Sequence, residues 1–349
     1  MKNFKRIISL MMVIVLALSL AACGGGNTNQ PAQNQPAADP GKPEYSFTLA
    51  MDSPENTVTY LFAEKFATLV KEKSAGKMEV QIFANGQLGS DREIAESVQQ
   101  GNIDFVTQNT APQVNFVPQL GVFDMAKVFP DAATARKVLD GPFFDTIAAQ
   151  YEKAGFKLLG YVDQGFRQMT TNKKVESFAD FKGQKIRTME NPNHVAFWSA
   201  LGANPTPMAW GEVYIGLQQK TIDAQENPYE VIVANKIYEQ QKYVINTNHI
   251  LHLISLITNP AKFNSLSPEY QKIITDSVAE AKVWANQQAD ERIDGRVKIM
   301  QENGVEIVEL PAEVHAQMQE KAEAAYELIR GKVGAELVDG LLKAVEAAK

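Results

Sequence analysis

One cysteine, Cys23, occurs in 349 residues, so no disulfide can form within a single molecule. Histidine is nearly as scarce, with four copies. His249 and His252 are spaced to share a face if their segment is helical, but no cysteine or third ligand accompanies them, and no metal is expected. The chain has no Gly-x-Ser-x-Gly, no Walker loop and no Gly-x-Gly-x-x-Gly, which removes the main local signatures of serine hydrolases and nucleotide sites. Basic residues are in the minority, with 34 Lys and Arg against 41 Asp and Glu, a net charge of −7 and a pI near 5.3. Nucleic acid requires a basic surface and is excluded as a partner. A few arginines in an acidic chain still make a local anion trap. Carboxylates such as Asp52 and Asp91 have the means for acid–base work, but their sequence context gives no sign of raised pKa values. No cofactor is called for.

The N-terminus is the most legible stretch. Lys2, Lys5 and Arg6 precede an apolar run from Ile7 to Leu20, too short and too abruptly ended to span a bilayer comfortably. Leu20-Ala21-Ala22-Cys23 closes it with the small-residue pattern of a lipoprotein cleavage box, in which the thiol of Cys23 takes the lipid. Residues 1–22 thus read as a signal peptide and Cys23 as the lipidation site. Gly24 to Pro43 is Gly, Asn, Gln, Pro and Ala with almost no apolar bulk, a tether that cannot bury enough surface to fold. The expected location is the extracytoplasmic face of the cell membrane, held by the N-terminal lipid: the cell surface in a monoderm, the periplasm otherwise.

The remaining length allows two domains. Tyr45 to Ala50, Met78 to Phe83 and Ile103 to Thr107 read as strands. Between them, Val58, Leu61, Phe62, Phe66, Leu69 and Val70 mark one helix face and Asp91 to Gln100 a second helix. Successive β-α-β steps imply parallel strands with right-handed crossovers. A second α/β region begins near Phe156. Ser267-Pro268 starts a helix running to about Asn303, roughly ten turns, with Ile274, Val278, Ala281, Ala285 and Ala289 as its buried stripe. The fold class is therefore α/β, with a long helical strut across two domains. The boundaries expected are 45–164 with 253–292 for the first domain and 165–252 with 293–349 for the second.

In such open sheets ligands sit beyond the carboxyl ends of the strands. Asp52, Asp91 and Asn109 fall in or just after strand-end loops. Arg167 and Arg187 stand at the ends of strands twenty residues apart. A lone arginine is as a rule a surface ion pair; two converging guanidinium forks would hold one carboxylate without any general acid. Trp210 could cover a ligand's apolar face or serve as a core residue. Asn227 could donate its amide to the same carboxylate or shape the turn before Pro228.

The ordered set Gly165-x-Arg167-x-x-Thr170, Asp180-Phe-Lys-Gly-x-Lys-Ile-Arg187, Leu201-Gly-Ala-x-Pro-x-Pro-Met208, Glu212-Val-Tyr214 and Asp223-x-Gln-Glu-Asn227-Pro228 resembles the DctP-type solute receptors of tripartite ATP-independent periplasmic (TRAP) transporters. Gly76-Lys-x-Glu-Val, Asn85-Gly-Gln-Leu-Gly89 and Gln100-Gly-x-Ile-Asp104 match the family's first domain in order, and the likeness covers nearly all of Tyr45 to the C-terminus. The resemblance implies a two-domain periplasmic-binding-protein-like clamshell that closes on an organic anion, with small and large membrane permease subunits as partners and no enzymatic activity. It implies that Arg187 makes the principal two-pronged salt bridge, assisted by Arg167 and Asn227. Trp210 stands where sialic-acid-binding relatives have Phe. Asp52, Asp91 and Asn109 occupy positions that meet the ligand's distal polar groups, with Asn109 replacing an acidic residue. The expected ligand is a sugar acid such as a uronate or aldonate, because those polar groups suit hydroxyls; the alternatives are a C4-dicarboxylate or other organic acid, or an ABC-type binding lipoprotein. The chain is expected to act as a monomer.

Overall fold

The computed structural model describes residues 42–349; the leader, Cys23 and the tether through Gly41 lie outside the described residues. The chain opens with β1 (Tyr45–Ala50), α1 (Val58–Lys73), β2 (Met78–Phe83), α2 (Asp91–Gln99) and β3 (Phe105–Asn109). Each helix has a local reason to start where it does. Thr57 caps α1 by accepting from the Tyr60 amide at 3.3 Å, and Ser90 with Glu93 forms a capping box at α2. A one-turn helix α3 (Thr110–Gln113), a 3₁₀ segment (Pro118–Asp124), α4 (Ala132–Leu139) and α5 (Phe143–Lys153) lead to β4 (Lys157–Phe166). Beyond it run β5 (Gln168–Thr171), β6 (Lys185–Thr188), α6 (Pro192–Ala200), β7 (Asn204–Pro207), α7 (Val213–Gln218), β8 (Ala224–Asn227), α8 (Tyr229–Ala234) and β9 (Tyr243–Asn246). The last portion comprises β10 (Leu251–Thr258), α9 (Pro260–Ser265), α10 (Pro268–Glu291), α11 (Ile293–Glu302), β11 (Glu306–Glu309), α12 (Ala312–Val333) and α13 (Ala335–Ala348).

Two sheets divide these strands. The first has the order β2-β1-β3-β10-β4, with β1 parallel to β2 and β3, and β10 antiparallel to β3 and β4. The second has the order β11-β9-β5-β8-β6-β7, with β6 parallel to β7 and β8 and β5 antiparallel to its neighbours. Each sheet is covered on both faces by apolar clusters, as expected where helices flank parallel strands. The result is a pair of α/β lobes.

The chain passes between the sheets at Arg167, at Thr247–Ile250 and at Arg292. The first two crossings run side by side, joined by the Arg167 amide donating to the Ile250 carbonyl at 2.8 Å. Next to them β4 carries one extra residue against β10: Leu251 pairs with Phe166 and Leu253 with Asp163. Gly165 takes φ +81° within this bulge, a conformation open to glycine because it has no Cβ. At the third crossing the long helix expected to reach Asn303 is interrupted at Arg292. Residues before the break lie on α1 and β4, those after it on α8, so the strut changes lobes at the break. Arg296 secures that passage with Nε donating to Glu230 Oε2 at 2.7 Å and Nη2 to the Asn56 carbonyl at 3.0 Å.

The C-terminus departs from the pattern expected for 293–349. Val338, Leu341 and Val345 of α13 enter the apolar cluster of the first lobe with Ala135 and Phe143, while α12 packs chiefly on α6 of the second. The reason is amphipathic: the apolar face of α13 finds its complement on α4 and α5, and periodicity alone does not name the surface a helix will cover. His249 and His252 likewise do not share a helix face, because His249 lies in the second crossing and His252 in β10.

Small residues set the spacing between α10 and the first sheet. Ile274, Val278, Ala281, Ala285 and Ala289 are buried as the stripe predicts, and a Cβ on Gly160 of β4 would lie 2.8 Å from Val278 Cγ1. Gly160→Ala should therefore destabilise the protein by about 1–3 kcal/mol through overpacking. Gly295→Ala, in open space on α11, should stabilise by about 0.5–1 kcal/mol. Urea unfolding of both variants against the parent checks the pair.

Candidate functional site

Between the lobes, at the carboxyl ends of β1, β3, β6 and β8, lies a cavity of about 40 Å³. Its wall includes Asp52, Asp91 and Asn109 from the first lobe, Arg187, Trp210 and Asn227 from the second, and His252 of β10, next to the second crossing. Six of the seven site residues expected in the folded region thus stand around one space; Arg167 is not on its wall.

Arg187 is the third residue of β6 and is 3% exposed. Its side edge is satisfied by one carbonyl, with Nε and Nη2 donating to Met208 O at 2.9 and 2.7 Å. The Pro205-Thr-Pro207 segment brings that carbonyl into place, since β7 pairs with β6 in parallel register. Trp210 lies against the guanidinium, 5.3 Å from ring centroid to Cζ, and its indole N–H donates to Asn235 Oδ1 at 3.1 Å. Among the described residues no carboxylate stands within salt-bridge distance of Arg187. The end of the fork, Nη1 and the second hydrogen of Nη2, is left over. Burial pulls its pKa down to about 10, with nearby Arg167 acting in the same direction against Glu226, Asp91 and Asp52, so it remains a cation at neutral pH.

The first lobe faces this cation with two carboxyl groups. Asp52 follows β1, and Asp91 opens α2. Burial and then the charge of Asp52 push Asp91 up to about 8, Glu190 adding to the effect and Arg187 opposing it. Burial also raises Asp52, with Arg187 again opposing and Glu93 reinforcing. This corrects the sequence expectation of ordinary surroundings. The two residues are thirty-nine positions apart in the chain, so their mutual field exists only in the fold. Asn109 is largely committed to structure: Oδ1 accepts from the Ala111 amide and Nδ2 donates to Leu253 O, both at 2.9 Å.

Asn227 ends β8, and its amide is oriented by a chain of side chains. Thr170 donates to Gln241 Oε1 at 3.1 Å and accepts from Gln225 Nε2 at 2.9 Å, while Gln225 Oε1 accepts from Asn227 Nδ2 at 2.7 Å. One hydrogen of Nδ2 is thereby committed, and the rest of the amide faces the cavity.

Arg167 sits one layer behind. It is fully buried and doubly bonded to the Glu226 carboxylate, through Nε to Oε2 and through Nη2 to Oε1 at 2.9 Å. His249 Nε2 reaches the same carboxylate at 2.9 Å, and His194 bridges toward Asp124 at 3.1 Å. Glu226 is held well below the usual carboxylate range despite its burial, chiefly by Arg167 and then by both histidines. The fork of Arg167 is therefore occupied by protein, and its remaining nitrogen, Nη1, meets His252 Nδ1. Sequence spacing does not distinguish an arginine aimed at a ligand from one paired beneath the surface, because both follow strand ends. His252 itself was detectable only as the one titratable group within the apolar run Leu251 to Ile257.

These surroundings suit capture of a small anion: a buried cation with an unfilled fork on one side and hydrogen-bonding carboxyls on the other. Comparison with known proteins agrees. The 2,3-diketo-L-gulonate-binding periplasmic protein of Escherichia coli K12 is 33% identical over 264 residues, covering 75% of this chain and 80% of that one. The C4-dicarboxylate-binding periplasmic protein of Rhodobacter capsulatus is 30% identical over 91% of this chain and 96% of its own. The sugar acid binding protein of Advenella mimigardefordensis, solved with galactonate, superposes with a TM-score of 0.85 at 30% identity, over 88% of this chain and 99% of that one. The model of bacterial extracellular solute-binding protein family 7 matches residues 49–332. The chain belongs to this family: it is an extracytoplasmic receptor that binds a small organic acid for the membrane permease subunits of a TRAP transporter, and not an enzyme.

Proposed function

We propose that the ligand is a sugar-derived monocarboxylate, a uronate or aldonate, whose carboxylate fills the open fork of Arg187 and whose hydroxyls meet Asp52 and Asp91. The observation that carries this reading is the buried guanidinium, which has no carboxylate partner among the described residues. Removing a charge from water is expensive unless a counter-charge joins it, so an anion entering the fork satisfies a demand already built into β6. Asn227 and the remaining amide hydrogen of Asn109 add donors, and Trp210 offers a flat face for a carbon skeleton. Arg187 is the one Lys or Arg on the cavity wall, which favours one carboxylate over two: a second would face Asp52 and Asp91 with no cation. The Escherichia coli and Advenella relatives are named for sugar-derived acids, which supports the same choice.

The space has room for about three waters, so the lobes must part for the ligand to enter. The paired crossings and the Arg292 break allow that rotation. The carboxylate docks on Arg187 in the second lobe, and closure adds the first-lobe carboxyls, contacts that exist only when the jaws are shut. Lipidation at Cys23, with the Gly24 to Pro43 segment as a tether, would keep a monomeric receptor close to its permease.

Arg187→Ala should weaken binding of galactonate by about 2–5 kcal/mol, measured by calorimetry; unchanged affinity would sink the reading. In a thermal-shift panel, aldonates and uronates should raise Tm while succinate and fumarate should not. The reverse ranking favours the dicarboxylate reading. Affinity should also fall as pH rises through about 8, because Asp91 ionises beside the bound anion while Arg187 stays charged. The same raised pKa means the folded state binds more protons than the unfolded one, so this group's contribution to stability falls between about pH 4 and pH 8. Asp91→Asn should therefore raise Tm at pH 9 by about 2 °C or more, and by less at pH 5. Cys23→Ala should leave the full-length protein in the aqueous phase of a detergent partition, where the parent enters the detergent.

A further inference from the structure

His252 is the second residue of β10, at the point where β4 carries its extra residue. The residue is 5% exposed and lines the cavity together with Arg187. One ring nitrogen, Nδ1, is in contact with Nη1 of Arg167. A guanidinium nitrogen has hydrogens and no lone pair to offer, so Nδ1 must be the acceptor in this contact. The proton of the neutral ring then resides on Nε2. An imidazolium is excluded by the same geometry, since it would set N–H against N–H. The surroundings agree: burial and the Arg167 charge lower the affinity of His252 for a second proton, with Glu226 opposing and His194 reinforcing.

Nε2 makes no hydrogen bond to the protein among the described residues. Nor is it sealed in: His194 Nδ1 is among the enclosed atoms without partners, and His252 Nε2 is not. The free N–H therefore opens onto the space the ring lines.

Resting on the carboxylate-binding reading above, we propose that His252, locked in one tautomer by Arg167, donates Nε2–H to an oxygen at the carboxylate end of the ligand, beside the fork of Arg187. Arg167 is then a positioning residue. It sets the direction of a donor at the ligand without touching the ligand, while Glu226 holds Arg167 in place. The cavity acquires a polarity from this arrangement. Fixed donors stand at Arg187 in the second lobe and at His252 in β10, and the carboxyl groups of Asp52 and Asp91 lie across the cavity from Arg187. An oxyanion satisfies the donor end, whereas an ammonium group placed there meets N–H hydrogens and is rejected. Because the imidazole is neutral, this contact requires no proton uptake by His252 on binding.

The test uses the folded chain labelled with ¹⁵N-histidine. Without ligand at pH 7, the His252 ring should show a protonated Nε2 and an unprotonated Nδ1. Adding galactonate should shift the Nε2–H resonance, because its proton gains an acceptor. A protonated Nδ1, an imidazolium, or an Nε2–H resonance indifferent to bound galactonate would overturn the proposal. By calorimetry, His252→Leu should bind galactonate roughly 10- to 150-fold more weakly, as expected on losing a hydrogen bond to a charged group. His252→Gln, which keeps a terminal N–H, should recover part of that loss. Equal affinity in His252→Leu and the parent counts against the proposal even if both fold. If galactonate fails to bind the parent and succinate binds, the sugar-acid reading falls. The same resonance and variants are then read with succinate: a shifted Nε2–H and weaker binding by His252→Leu support the His252 contact, and the lack of either overturns it.

Discussion

A guanidinium shut away from water with no carboxylate of its own is the constraint on which the rest of this molecule turns. Arg187 keeps a positive charge in a place where a charge is costly, and a single carbonyl from Met208 satisfies only one edge of it. The protein tolerates this through field rather than contact. Glu226 behind and Asp91 and Asp52 across the cleft lie close enough to favour the cation, yet none reaches the fork. A carboxylate within bonding distance would stabilise the empty receptor and compete with the ligand. In the reading proposed above, that unfilled valence is what makes capture of an organic acid favourable.

Such a site needs a rigid backing, and the buried ion pair beneath it supplies one. Arg167 and Glu226 satisfy each other in two parallel hydrogen bonds, with His249 on the same carboxylate. That pairing fixes the ends of β5 and β8, hence the cavity face of Asn227, and leaves Arg167 Nη1 against the ring of His252 in β10. The two arginines stand in different surroundings: Arg167 is neutralised by Glu226, and Arg187, which the proposed reading gives to the ligand, has no carboxylate partner among the described residues. Their separation in role comes from which strand end has Glu226 as its neighbour.

Across the cleft the electrostatics are reversed. Burial and the charge of Asp52 hinder the ionisation of Asp91, and burial with Glu93 hinders that of Asp52. A protonated carboxyl can both donate to and accept from a hydroxyl, so the first lobe is suited to polyhydroxylated skeletons and can approach an anion without full like-charge repulsion. In the proposed reading, closure then depends on contacts to what the ligand carries beyond its carboxylate, which is where receptors of one family can diverge in substrate.

Sequence by itself determined the α/β class, the loops after β1 and β2 that lead to Asp52 and Asp91, the strand bearing Arg187, and the Ala-rich stripe of the strut, whereas Asn109, expected beyond the third strand, is the last residue of β3. These depend on periodicity, caps and local spacing, which act within a few residues of each other. Only the tertiary structure decided that Arg167 is paired beneath the cavity, that His252 lines it as a strand residue, that the charge of Asp52 raises the carboxyl of Asp91, and that α13 covers the first lobe. Each of those outcomes depends on groups far apart in the chain: Glu226 beside Arg167, Arg167 beside His252, Asp52 beside Asp91, α4 beside α13. Charge and burial act through space, and no local pattern records which distant partner a side chain will meet.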